Sequence, residues 1–126
     1  MKQIFAISLG GALGAVSRHY LVLAMHHLFS SLSFPVGTLS VNVLGCFILG
    51  LAIIFFQHQT QDTFLLRSFF VIGMLGSFTT FSAFSYETFL LLKEGAHFKA
   101  LWNVVSQVSI SLVAIFLGMC LMEKIL

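Results

Sequence analysis

Gly73-Met74-Leu75-Gly76-Ser77-Phe78-Thr79-Thr80-Phe81-Ser82-Ala83-Phe84-Ser85 places two glycines, five hydroxyl side chains and three phenylalanines in a stretch otherwise apolar enough to cross a membrane. Peptide groups without partners cost several kcal/mol each in hydrocarbon, so non-helical backbone at bilayer depth survives only inside protein or against a polar cavity. A glycine and hydroxyl cluster of this kind predicts a helix broken near Gly76 to Thr79, with freed backbone groups that bind something. The segment around it, Leu65 to Leu92, is too long for one upright span, which the break also explains.

Outward from that stretch the chain is uniformly apolar. Of 126 residues, 59% are hydrophobic and 8% charged, and the mean hydropathy is +1.05, against about a quarter charged in soluble domains. Four apolar segments, Ile4 to Met25, Val36 to Phe56, Leu65 to Leu92 and Leu101 to Met122, each approach or exceed the ~20 residues that span ~30 Å of hydrocarbon. The expected fold is an all-α membrane protein, one domain over residues 1–126, with four transmembrane helices, the third broken mid-membrane. Lys2 before an apolar run imitates a signal peptide, yet the run is longer than an h-region and lacks a small-x-small cleavage site, so a retained first span is expected.

The net charge of +2 is small and its basic residues are scattered, which argues against a nucleic-acid partner. Loop lysines and arginines normally mark the cytoplasmic side. With four spans, Lys2, Arg67 and Lys124 fall on one side, and Lys93, Lys99 and Arg18 fall toward the other. Such balance permits insertion in both directions and pairing of opposed copies in an antiparallel homodimer; a single weakly biased orientation is the alternative.

Polar residues within the spans form stripes. Gly10, Gly14 and Arg18 share a face of the first helix; the glycines suit close packing, and Arg18 either snorkels or faces a wet vestibule. His26, His27, Ser30, Ser31, Ser33 and Pro35 are expected to form the first loop, with Gly37 opening the second helix. In that helix Thr38, Asn42, Gly45 and Leu49 align, so Asn42 either bonds a neighbouring helix or lines a polar path with Thr38. Past the break, Phe81, Phe84 and Glu87 follow at three-residue steps and are expected to share a face; Glu87 is the one acid inside the four apolar segments, either functional or reaching water. Asn103, Gln107 and Ser111 stack along the fourth helix, as a polar track or as packing contacts. Cys46 and Cys120 read as small buried hydrophobes.

No nucleophile with a base, carboxylate pair, metal cluster or phosphate loop is recognisable, so an enzyme is not expected. Hydroxyls, amides, an arginine and phenylalanine ring edges, which carry partial positive charge, favour an anion. Carbonyls freed at a break suit a dehydrated alkali cation. A fixed cation with an anion moving past it satisfies both.

The runs Gly10-Gly11-x-x-Gly14-Ala15-x-x-Arg18, Gly37-Thr38-Leu39-x-Val41-Asn42-x-x-Gly45 and Gly73-x-x-Gly76-x-x-Thr79-Thr80-Phe81-Ser82-x-Phe84-Ser85-x-Glu87 resemble the CrcB/Fluc fluoride channels over nearly the whole chain. The resemblance implies a dual-topology antiparallel homodimer in the bacterial cytoplasmic (inner) membrane, with two fluoride pores and a central structural sodium ion, exporting fluoride passively. It implies that the backbone carbonyls of Gly76 and Thr79 hold sodium, that Phe81 and Phe84 meet fluoride with their edges, that Asn42 donates to the ion and that Arg18 sits in the vestibule. Thr38, Thr80, Ser82 and Glu87 match polar positions near that path. The chain departs from the commonest pattern at Ser77 for glycine, Ala83 for threonine and His19 between Arg18 and Tyr20. In the fourth helix Asn103, Gln107 and Ser111 stand where the family often has tyrosine, serine and a small residue. A small proton-coupled anion antiporter cycling on Glu87 is the alternative activity, and a non-transporting membrane subunit is a third reading.

Overall fold

The computed structural model describes residues 1–31, 34–60 and 62–126, so Ser33 of the expected first loop and Gln61 of the second lie outside the described residues. The chain folds as helices α1 (Lys2–Leu28), α2 (Val36–Gln57), α3 (Phe64–Arg67), a π-helical stretch (Ser68–Leu75), α4 (Gly76–Phe78), α5 (Phe81–Lys93) and α6 (His97–Ile125). Grouped by continuity they give, among the described residues, four helical rods long and apolar enough to cross a membrane: Lys2–Leu28, Val36–Gln57, Phe64–Lys93 and His97–Ile125. The chain is a multi-pass membrane protein.

Helix boundaries follow local chemistry. The first helix continues past Met25, so His26 and His27 lie in its last turn rather than in the loop; there, imidazoles face the carbonyl-rich end of the helix dipole. Pro35, with φ −75°, immediately precedes α2 and lacks only an amide that the first turn leaves unpaired anyway. Between α5 and α6 the chain reverses at Gly95, whose φ of 75° is the left-handed region glycine tolerates. Its amide reaches Leu92 O at 3.0 Å while Ala96 N reaches Leu91 O at 2.9 Å, the paired bonds that close a helix C-terminus.

The third rod is irregular twice. From Ser68 to Leu75 it winds as a π-helix, and the Gly76 amide still reaches back five residues to Val71 O. Then Thr79 (φ −74°, ψ 155°) and Thr80 (φ −149°, ψ 112°) leave helical geometry before α5 begins.

Packing is backbone against backbone at small residues. The α1 helix lies along the π-helical stretch, and α2 packs on α6. A Cβ on Gly14 would overlap the Met74 carbonyl, and one on Gly118 would overlap the Phe47 carbonyl; glycine at such crossings permits the close approach that drives helix association in lipid. The buried set is mixed: Val41, Ile54, Leu75 and Phe78 beside Thr38, Ser68, Asn103, Ser106 and Gln107. Large apolar side chains such as Phe5, Leu112 and Phe116 point outward. That inversion suits a hydrocarbon solvent and gathers the polar atoms inside.

Candidate functional site

The site is built around the interruption at Thr79 and Thr80. The Thr79 amide and hydroxyl both end on Leu75 O, each at 3.1 Å. The next amide, Thr80 N, turns to Oδ1 of Asn42 at 2.8 Å, and Asn42 Nδ2 returns to Thr80 O at 3.1 Å. One side-chain amide on α2 thus pairs with both polar groups of one residue, replacing the bond a continuous helix would supply to the Thr80 amide. Thr80 then caps α5, its Oγ accepting from Ala83 N at 3.2 Å, with Ser82 Oγ also 3.2 Å away.

Gly76 O and Thr79 O are among the carbonyls that lose their helical partners at the interruption. In a regular helix Gly76 O would accept from Thr80 N, and Thr79 O from Ala83 N. Both amides are given to side chains instead. Gly76 is exposed on the outer face of the single chain, and a Cβ there would meet only Val71 O, at 3.7 Å. These oxygens are neutral, hard donors of the kind that suits an alkali cation, so the residues fit the sodium that the resemblance implies.

Two cavities flank Thr80. The first, of about 230 Å³, is lined by Asn42, Cys46, Thr79, Thr80, Phe81, Phe84, Gln107, Val108 and Ser111. Phe81 and Phe84 meet edge to face with ring centres 5.2 Å apart at 65°; Phe81 is 77% exposed in the single chain. Asn42 Nδ2 also donates to Gln107 Oε1 at 3.0 Å. Gln107 Nε2 is buried without a hydrogen-bond partner among the described residues, and the Ser111 hydroxyl lies against the Cys46 thiol.

The second cavity, of about 520 Å³, is lined by Arg18, His19, Thr38, Thr80, Ser82 and Glu87 with Ala15, Val22 and Ala83. Thr38 Oγ donates to Glu87 Oε1 at 2.5 Å. Thr80 belongs to both linings and is the wall between them.

The structure therefore gathers Asn42, Thr79, Thr80, Phe81, Phe84, Gln107 and Ser111 in one cavity and Arg18, Thr38, Thr80, Ser82 and Glu87 in the other. Glu87 does not share the phenylalanine face as its spacing suggested. Each three-residue step rotates about 60° short of a full turn, and from Phe81 to Glu87 that drift carries the carboxylate to the arginine side. Asn103 lines neither cavity: wholly buried, it donates to Thr88 Oγ at 2.9 Å, and Thr88 donates to Phe84 O at 2.8 Å. Both Asn42 donors and its acceptor are engaged by protein. Sequence reasoning missed Cys46, His19 and Thr88 at these places. Thr88 lies four residues after Phe84, the spacing of a hydroxyl that bonds back along its own helix.

Residues 5–119 match the family described as CrcB-like protein, Camphor Resistance (CrcB). A protein of a Nitratiruptor species named fluoride-specific ion channel FluC is 39% identical over 121 residues, covering 96% of this chain and 92% of its own. Proteins of the same name from Shewanella baltica and Campylobacter fetus subsp. fetus are each 44% identical. The first alignment covers 94% of both chains; the second covers 91% of this chain and 89% of the relative. These relatives are named as ion channels and not as enzymes. With a family match over most of its length and relatives of this similarity, the chain belongs to the CrcB family.

Proposed function

We propose that the chain is a fluoride-selective channel that lets cytoplasmic fluoride leave passively and so relieves its toxicity. The observation that carries this reading is the pair of cavities meeting at Thr80. One presents guanidinium and hydroxyl groups beside the Glu87 carboxylate, the other ring edges with the unpartnered Gln107 amide nitrogen and the Ser111 hydroxyl. A small anion leaves its water shell only where many donors replace it, and ring edges and hydroxyls supply them without a countercharge that would hold the ion. The relatives' shared name points to the same anion.

The working unit in this reading is an antiparallel, dual-topology homodimer in a bacterial cytoplasmic (inner) membrane, with the interruption at mid-depth and two pores. The Gly76 and Thr79 carbonyls of both copies would hold one structural sodium ion. Bound there, sodium supplies a fixed positive charge and ties the copies together. Arg18 draws fluoride into the wider cavity, Thr38, Thr80 and Ser82 pass it along, and Phe81 and Phe84 flank it in the narrower one. Fluoride that entered the cell as membrane-permeant HF would leave as the ion.

The test is fluoride efflux from liposomes holding the purified protein, read with a fluoride electrode. Efflux is expected with the parent and lost with Phe81→Ile; comparable chloride efflux would overturn the selectivity. A second reading, an anion antiporter cycling protons on Glu87, draws on the unpartnered Glu87 Oε2. Slow, steeply pH-coupled turnover would favour it over a pore.

A further inference from the structure

Four residues of α1 line the wider cavity: Ala15, Arg18, His19 and Val22. They fall at i, i+3, i+4 and i+7, the spacing of a single helix face, so His19 stands beside Arg18 on the face that α1 turns to the cavity. His26, one turn beyond Val22 on that face, lies within electrostatic reach of Glu87. Across the cavity α5 supplies the Glu87 carboxylate, held by the Thr38 hydroxyl of α2.

The charges of this cavity are balanced. Arg18 is permanently protonated, an ionised Glu87 cancels it, and Thr38, Thr80 and Ser82 are neutral. Among the described residues His19 is the remaining lining group that titrates, so it decides the net sign. Imidazole is the side chain that ordinarily changes charge between about pH 5 and 8. The Tyr20 ring meets that of His19 edge to face, with centres 5.7 Å apart at 71°, and a phenol is ordinarily neutral over that range. His19 is exposed in the single chain. A cavity of about 520 Å³ has room for several waters at about 30 Å³ each, so its imidazole can exchange protons with solvent.

We propose that His19 is a proton-controlled anion-capture residue of the wider cavity: as imidazolium it gives a charge-balanced entrance a net positive charge, so fluoride conduction rises as the medium becomes acidic. The proposal rests on the fluoride-channel reading and adds to Arg18 a second cation that exists only in acid. A unit charge a few ångströms from an anion changes its local concentration several-fold in water, and less as salt screens it.

Single-channel recording in planar bilayers is the test. HF carries no charge and adds nothing to the current, and poor folding of a variant lowers the number of channels without changing the current through each. At low fluoride and low ionic strength, with equal pH on both sides, the parent current is expected to be at least about twofold larger at pH ~5.5 than at pH ~8. His19→Gln should carry the smaller current at both pH values and His19→Lys the larger one at both. An impermeant salt should shrink the parent's difference. A rise that survives in His19→Gln would assign the titration to Glu87 or His26 and overturn the proposal. So would a parent current that is flat or falls in acid, or a small current in His19→Lys, which would make the role of the side chain one of shape and not of charge. A parent with no fluoride current at either pH would sink the channel reading itself, and this proposal with it.

Discussion

The Thr38 hydroxyl on α2 donates to Glu87 Oε1 on α5 over 2.5 Å, while the second carboxylate oxygen has no partner among the described residues. A hydrogen bond to a charged group contributes about 1.5–3 kcal/mol when sheltered, and the wide cavity beside Glu87 lowers that toward about 1 kcal/mol. Thr38→Val is therefore expected to destabilise the protein by roughly 1 kcal/mol, with most of the loss absent in a Glu87→Gln background. Detergent-titrated unfolding of the four proteins of that cycle measures it; equal losses in both backgrounds would mean that the two side chains are not coupled.

Asn42→Ala strands Thr80 N and Gln107 Oε1 together and takes one of its donors from Thr80 O. Buried polar groups left unpaired cost about 1–3 kcal/mol each, so the expected destabilisation is at least about 2 kcal/mol, larger than for Thr38→Val. The same unfolding titration reads it, and a loss under about 1 kcal/mol would show that the Thr80 backbone does not depend on this clamp.

Glycines at the crossings and at the interruption separate folding from assembly. Gly14→Val drives a side chain into the Met74 carbonyl, and overpacking of this kind costs about 1–3 kcal/mol or more. Gly76→Ala meets only Val71 O at 3.7 Å within its own chain. It should leave single-chain stability unchanged while weakening association if two copies meet at the interruption. Crosslinking yield and unfolding midpoint, measured side by side, check the contrast; a Gly76→Ala protein as unstable as Gly14→Val would contradict it.

Cys46 lines the cavity of Phe81 and Phe84, whereas Cys120 lies in a groove with Phe47, Leu117, Leu121 and Lys124. A small methanethiosulfonate reagent added to the reconstituted protein is expected to slow fluoride efflux at least fivefold. Cys46→Ser should remove that sensitivity and Cys120→Ser should preserve it. Sensitivity that follows Cys120 would place the ion path elsewhere.

Protein purified in N-methylglucamine in place of sodium is expected to lose most of its fluoride efflux, with recovery on returning sodium. Full activity through the exchange would remove the carbonyls of Gly76 and Thr79 as a sodium site.

Much of this was legible in the sequence, for physical reasons that also mark where legibility stopped. Apolar length alone located four rods, because hydrocarbon thickness fixes how many residues a span needs. It stopped short at His26 and His27, since helix ends are set by hydrogen bonding and not by apolarity. The glycine and hydroxyl cluster located the interruption within a few residues. The π-helical winding of Ser68–Leu75 was invisible: it depends on how α1 seats against that stretch, a tertiary matter. The structure sets Thr38, Asn42, Gln107 and Ser111 against the two cavities, whereas stripe counting could not tell that Asn103 donates to Thr88 instead or that Glu87 turns toward Arg18. Hydrogen-bond direction between Asn42 and Gln107 requires knowing what Thr80 N does, and no spacing rule carries that.

Because Asn42 satisfies both polar groups of Thr80 from within the same polypeptide, the extended link needs no second molecule to exist. A lone copy emerging into lipid can adopt its finished shape, and in the proposed homodimer the encounter between copies would be a docking of ready-made halves whose rate is set by lateral diffusion and collision geometry. Biogenesis would then be second order in protein with no slow unimolecular lag.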